Sequence, residues 1–130
     1  MLLVKTKLGA SNRHGIGLFA DQFIPKGTVT WRYNPEFDLS FPPDCLSRMP
    51  AFVKEQFFKY SYFNHEQKKY ILCFDDQRFI NHSAKPNVQA KPDYDTAIKD
   101  INKGEELLCN YRDYEHDWFE RRGADEKSFR

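Results

Sequence analysis

The chain has 130 residues, 40% hydrophobic and 30% charged, a balance that fits one domain with one core. A formal net charge of +1 argues against a broad phosphate-binding surface. Aromatic residues reach 16%, with 12 Phe and 7 Tyr, which suits a β-rich core or an aromatic-lined pocket. Cys45, Cys73 and Cys109 stand apart with no CxxC pair, so neither a structural zinc site nor a disulfide framework is expected. A reducing, intracellular setting fits that cysteine usage. The apolar run at Met1–Lys5 is too short for a signal peptide, and no stretch approaches the length of a membrane span. The sequence reads as a soluble, complete, single-domain protein.

In chain order, Leu2 to Lys7 predicts a short first strand. Gly9, Gly15 and Gly17 then permit unusual backbone angles and close approach. Gly15-Ile16-Gly17 lacks the third glycine of a phosphate-cradling fingerprint. It is either a turn feeding a strand or backbone offered to a ligand. Phe23 to Thr28 is a Pro/Gly turn, and Val29 to Tyr33 is a β-branched and aromatic strand with Val29, Trp31 and Tyr33 on one face. Residues 35 to 59 form an irregular insert. It holds a short helical turn at Asp44–Leu46 and a helix over Ala51–Lys59 opened by Pro50.

Tyr60 to Phe63 resumes extended structure, 64 to 68 is a polar turn, and Tyr70 to Phe74 is a buried strand. Arg78-Phe79-Ile80-Asn81-His82-Ser83 reads as a strand anchored by Phe79 and Ile80 that turns polar at Asn81. Buried polar groups there require partners. Strands are expected at Val88–Lys91, Thr96–Ile101 and Glu106–Tyr111, the last two joined by a turn at Gly104. Asp113 to Arg122 is helical in composition, and 123 to 130 reads as a polar, frayed end. His14, His65 and His116 lack ligand spacing, so no metal site is expected. Asp75-Asp76 and Glu105-Glu106 read as solvated turn charges; attraction of a basic peptide is the alternative.

Three segments then line up in order. They are Gly15-Ile16-Gly17-Leu18-Phe19-Ala20 with Ile24-Pro25-Lys26-Gly27, then Arg78 to Ser83 with Pro86-Asn87, then Gly104-Glu105-Glu106-Leu107 with Asn110-Tyr111. Together they resemble the SET-domain family of protein lysine methyltransferases, over about Leu3 to Tyr111. The resemblance implies a mostly β fold of small curved, β-clip-like sheets with a knot-like C-terminal crossing. It sets residues 1–112 as the SET domain, with 35–59 as a variable insert, and 113–130 as a helical segment that closes the site.

The implied cofactor is S-adenosyl-L-methionine, with no metal. The implied substrate is a lysine of a protein such as a histone or ribosomal protein, entering from the opposite face. No membrane or direct nucleic-acid partner is expected. By this resemblance Tyr111 and Tyr33 are the catalytic and channel tyrosines. Gly15, Ile16, Gly17, Tyr62, Asn81 and His82 contact the cofactor. Trp118 or Phe119 either covers its adenine or anchors the terminal helix. Small residues at Cys109 and Ala90 imply a roomy acceptor pocket that permits di- or trimethylation.

The chemistry asks mainly for positioning, because the donor already carries an activated methyl. A free lysine has a pKa of about 10.4, so making it neutral at pH 7 costs on the order of 4–5 kcal/mol. A desolvated channel beside a sulfonium lowers that cost. The chain lacks the zinc-binding cysteine cluster that many relatives carry after the tyrosine. That departure leaves open a catalytically inactive SET-fold module that binds a peptide or the cofactor.

Overall fold

The computed structural model describes residues 1–129. In chain order its strands are β1 (Thr6–Ala10), β2 (Ile16–Ala20), β3 (Val29–Arg32), β4 (Leu39–Phe41), β5 (Ser61–Asn64), β6 (Lys69–Leu72), β7 (Asn81–His82), β8 (Val88–Ala90), β9 (Tyr94–Ala97) and β10 (Leu108–Cys109). The described residues also form two α-helices, α1 (Ala51–Tyr60) and α2 (Trp118–Arg122), and short 3-10 turns at Pro43–Arg48, Asp76–Phe79, Tyr111–Asp113 and Glu126–Phe129. Among the described residues no helix is long and apolar enough to cross a membrane.

The strands form three small sheets: β1-β2, β4-β6-β5 and β3-β9-β8-β10-β7. The mostly β architecture with short helices is the expected one. In the largest sheet β10 lies between β7 and β8 and runs parallel to both. Residues 83–87 join those two strands, so the chain passes through its own loop. That passage is stitched by backbone bonds from Ser83 N–H to the Cys109 carbonyl (2.9 Å) and from Asn87 N–H to the Leu108 carbonyl (3.1 Å). The Asn87 side chain donates to the Glu106 carbonyl and accepts from Leu108 N–H, each at 2.8 Å. One asparagine therefore supplies the pairing that a two-residue strand lacks.

The core cluster centres on Leu18, Ile24, Val88, Ile101, Leu107 and Cys109, all fully buried. Each large aliphatic side chain there contributes roughly 1.5–3 kcal/mol through burial. β2 provides Leu18 and Ala20, and the isolated bridge between Ile24 and Ile101 brings the two Ile-x-Lys-Gly turns together. Gly104 has φ of 93°, the unusual angle its turn was expected to need.

Several boundaries differ from the sequence reading. The first strand begins at Thr6, and Leu2 makes only an isolated bridge to Trp31. The strand expected at Thr96–Ile101 begins at Tyr94 and stops at Ala97. The stretch Asp76–Phe79 is a 3-10 turn rather than a strand. Asp75 caps it by accepting from Gln77 N–H (3.2 Å) and also accepts from Leu2 N–H (2.8 Å). Phe74, expected inside, is 45% exposed, whereas Gln77 is buried. The expected terminal helix splits into the turn at Tyr111–Asp113 and α2. The tail, expected to fray, turns at Glu126–Phe129, and Phe129 packs its ring against Trp118 and Phe119.

Candidate active site

Two cavities meet near the crossing. The larger, of about 440 Å³, is lined by His14, Ile16, residues of α1, the segment 78–81, Tyr111, Trp118, Arg122 and Phe129. The smaller, of about 40 Å³, is lined by Trp31, Tyr62, Cys73, Gln77, Asp95, Cys109, Tyr111 and Tyr114, among others. That space suits a water molecule or an ammonium-sized group. Tyr111, Ile80, Tyr60, Lys59 and Arg78 line both. Tyr111 thus stands where the two spaces approach each other.

The local sequence fixes Tyr111 firmly. Asn110 caps the 3-10 turn by accepting from Arg112 N–H at 3.0 Å. The Tyr111 hydroxyl donates to the Ile80 carbonyl at 2.6 Å, and its backbone N–H donates to His82 Nδ1 at 3.1 Å. Accepting that bond requires an unprotonated Nδ1, which places the ring proton of a neutral His82 on Nε2. Burial pushes the Tyr111 hydroxyl well above its ordinary pKa, so it remains a neutral phenol.

Asn81 ties the hairpin to the crossing. Its amide donates to the carbonyls of His14 (3.0 Å) and Ile16 (3.1 Å) and to Glu106 Oε2 (3.0 Å). Glu106 also accepts from the Ser11 hydroxyl at 2.8 Å. The carboxylate presses against Gly17, where any Cβ would collide with it. Glu106 is accordingly a half-buried clamp rather than the solvated turn charge expected. The same is true of Asp75.

Of the predicted site residues, Ile16, Asn81, Trp118 and Tyr111 line the larger cavity, and Tyr62, Cys109 and Tyr111 line the smaller. Gly15, Gly17, His82, Tyr33 and Ala90 line neither. Gly17 yields its space to Glu106, His82 holds the Tyr111 backbone, and Ala90 sits in the core cluster. Tyr33 packs on the cluster of Trp31, Tyr62 and Cys73, one step outside the smaller cavity. Of the two small residues expected to leave room in an acceptor pocket, Cys109 lines the smaller cavity and Ala90 does not. Trp118 is 3% exposed, with the Arg122 guanidinium 4.1 Å from its ring and Tyr111 at 4.7 Å.

Sequence reasoning missed Trp31, Gln77, Asp95 and Tyr114 in the smaller cavity. It also missed α1 as a wall of the larger one. Asp95 did leave a signal. It alternates with Ala97 on β9, and both are buried, so an acid points inward from a strand. A second cluster was missed as well. His65, His116 and Asp117 bring their ligand atoms within 4.8 Å of one another, where the sequence suggested scattered histidines. Asp117 is divided between His65 Nε2 (2.8 Å) and Arg121 Nη2 (3.1 Å); desolvation raises its carboxyl, but these two partners together outweigh it and hold the group below the usual range.

Behind the site, Glu115 is fully buried. It accepts from Phe63 N–H (2.7 Å) and from Arg122 Nη1 (2.7 Å). Arg122 further donates to the carbonyls of Phe58 (2.7 Å) and Ser61 (3.0 Å). α2 is thereby anchored to the junction of α1 and β5.

Comparison with known proteins agrees with this arrangement. The SET domain family profile matches residues 15–112. A chain of the Chaetomium thermophilum polycomb repressive complex 2 superposes with a TM-score of 0.65 at 28% identity, covering 83% of this chain and 15% of that one. The same complex in an autoinhibited conformation bound to S-adenosylmethionine gives 0.66 at 26%, covering 92% and 17%. A Plasmodium falciparum candidate histone methyltransferase gives 0.59 at 22%, covering 85% and 95%, a likeness of fold. This chain thus spans about 15% of the polycomb chain it resembles. No curated protein matches it. The passage of β10 between β7 and β8, the Asn81-His82 strand beside it and the profile match over most of the chain place this protein in the SET-domain family.

Proposed function

We infer that this chain transfers a methyl group from S-adenosyl-L-methionine to the side-chain amine of a lysine in a protein. The observation that carries this reading is Tyr111, which lines a broad cavity and a narrow one at their junction. The broad cavity suits a nucleoside-sized ligand, with Tyr60, Phe58 and Phe129 as aromatic surface and Lys59 and Arg78 as cations for a carboxylate. The cofactor would supply a methyl on a positively charged sulfur.

The chain's own part is positioning and exclusion of water. The Tyr111 proton is given to the Ile80 carbonyl, so lone pairs of the phenol oxygen remain to accept an amine N–H. The narrow cavity is walled by Trp31, Tyr62 and Tyr114, and desolvation there favours the neutral amine. Histones and ribosomal proteins are the proposed acceptors, in an intracellular compartment, the nucleus if the source is eukaryotic.

The test is label transfer from radiolabelled S-adenosyl-L-methionine to mixed core histones or ribosomal proteins. Wild type is expected to transfer. Tyr111→Phe is expected to lose activity on the order of 10²-fold while calorimetric cofactor binding is kept. Cofactor binding without any transfer would favour a binding module. An unimpaired Tyr111→Phe would remove Tyr111 from the mechanism.

A further inference from the structure

The narrow cavity contains a group that its proposed role as a lysine channel does not by itself require. Asp95 projects into it from the middle of β9 and is 2% exposed. Its register partner across β3 is Trp31, beside a bulge, so the two side chains stand next to each other on one face. Gln77 reaches in from the Asp76–Phe79 turn and donates through Nε2 to Asp95 Oδ2 at 2.6 Å. Trp31 and Gln77 are 2% and 6% exposed, yet the indole Nε1 and the Gln77 Oε1 have no hydrogen-bond partner among the described residues. All three residues line the same small space.

Buried polar atoms left unsatisfied in a native fold call for an explanation, and for the acceptor Gln77 Oε1 a donor ligand is one; the indole Nε1–H is itself a donor, so Trp31 would contribute its ring face. Two acceptors, the Asp95 carboxylate and Gln77 Oε1, border a cavity whose buried walls are largely aromatic rings and sulfur, while the exposed residues Lys59, Arg78 and Lys91 also line it. An alkyl-ammonium carries donors only, and the faces of Trp and Tyr attract it further. An anionic group would meet the Asp95 carboxylate with like charge.

We propose that Asp95, supported by Gln77 and Trp31, is the amine-binding residue of the acceptor channel and selects a side chain that ends in an ammonium. This rests on the narrow cavity being the acceptor channel of the transferase. Asp95 acts on recruitment: it holds the cation before the amine is neutralised, so its contribution falls on KM more than on kcat.

Ionisation of Asp95 governs the effect. Burial raises its carboxyl to about 7, opposed by the Gln77 hydrogen bond and a backbone N–H at Lys91. The other titratable groups around it are the hydroxyls of Tyr62, Tyr111 and Tyr114 and the thiols of Cys73 and Cys109. Desolvation pushes all five upward, so none ionises near pH 7. Asp38 and Asp75 act on Cys73, and Asp113 on Cys109. Lys59, Arg78 and Lys91 are the cations on the cavity wall. Ammonium binding should therefore strengthen as pH rises through about 7.

The experiment uses n-butylammonium chloride as a stand-in for the lysine side chain and 1-butanol as its neutral counterpart. Binding is read from the Trp31 Nε1–H resonance of the full chain by NMR at pH 8 and pH 5.5, at matched ionic strength. The expected result is a saturable shift with n-butylammonium at pH 8. It should be at least about tenfold weaker with 1-butanol, at pH 5.5 and in Asp95→Asn, whose native fold the dispersion of the spectrum verifies. No shift in wild type, or an equal shift in Asp95→Asn, overturns the proposal. Label transfer by the wild type is scored separately. Amine binding without transfer would sink the transferase reading and leave the amine site standing, whereas transfer without an Asp95-dependent shift would do the reverse.

Discussion

The backbone N–H of Tyr111 donates to Nδ1 of His82 across 3.1 Å, tying the start of the C-terminal segment to the strand it crosses. His82 is 1% exposed, so no water replaces that acceptor. The bond joins the two motifs that stand farthest apart in purpose, the polar strand β7 and the tyrosine after β10. It makes His82 a positioning residue for Tyr111 from within the core.

Replacing His82 by Ala should destabilise the fold by roughly 2–4 kcal/mol, through a cavity and an unsatisfied Tyr111 N–H. His82→Asn carries an acceptor at a similar reach and should recover part of that loss. Urea denaturation midpoints of the two variants check this. Equal losses for Ala and Asn would deny the hydrogen bond its role.

Asp95 has a pH-dependent stability consequence. Its folded value of about 7 lies above the ordinary 3.8. The folded state therefore holds the proton more tightly, and the associated stability is full below pH 4 and is lost as pH rises through about 7. Asp95→Asn should melt higher than wild type at pH 8, with a difference on the order of a few kcal/mol at most, and converge with it near pH 4. Thermal melts across that range decide it. A variant that is less stable at pH 8 would contradict the sign.

Gly17 faces the Glu106 carboxylate with no room for a Cβ. Gly17→Ala should cost about 1–3 kcal/mol by overpacking. Shortening the clamp in Gly17→Ala/Glu106→Asp should restore part of the melting temperature. If Gly17 is needed instead for cofactor approach, the double variant would regain stability without regaining cofactor binding by calorimetry.

Glu115 and Arg122 are both buried and paired at 2.7 Å. Glu115→Ala leaves the guanidinium uncompensated and should cost about 3–5 kcal/mol. Replacing only the charge, in Glu115→Gln, keeps a partner for Phe63 N–H and should cost less. Chemical denaturation of both variants gives the comparison, and a cost below about 1 kcal/mol for Glu115→Ala would contradict it.

Much of the architecture was legible because it is local. Ala51–Lys59 showed a helix opened by Pro50, and the helix runs from Ala51 to Tyr60. Gly104 announced its turn. Val88 to Lys91 read as a strand ended by the Pro92-Asp93 turn, and β8 covers Val88–Ala90. Less was legible where a side chain replaced backbone pairing. The Asp75 cap turned an apparent strand into a 3-10 turn, and that rotation moved Gln77 inside and Phe74 out. The candidate site was half visible. Asn81, His82 and Tyr111 stood out as polar or aromatic residues in an apolar context. Trp31, Gln77, Asp95 and Tyr114 did not, because each belongs to a different element.

By itself the sequence determined the order of strands and turns, the motifs around Asn81 and Tyr111, and the need of buried polar side chains for partners. Those properties follow from residue type, spacing and backbone preference, which are set within a few neighbours. Tertiary structure alone decided that β10 threads between β7 and β8 and that Tyr111 reaches two cavities. It alone set Asp95 opposite Trp31 and beneath Gln77. Such meetings depend on contacts between residues tens of positions apart, and they exist only once the core has brought those segments together.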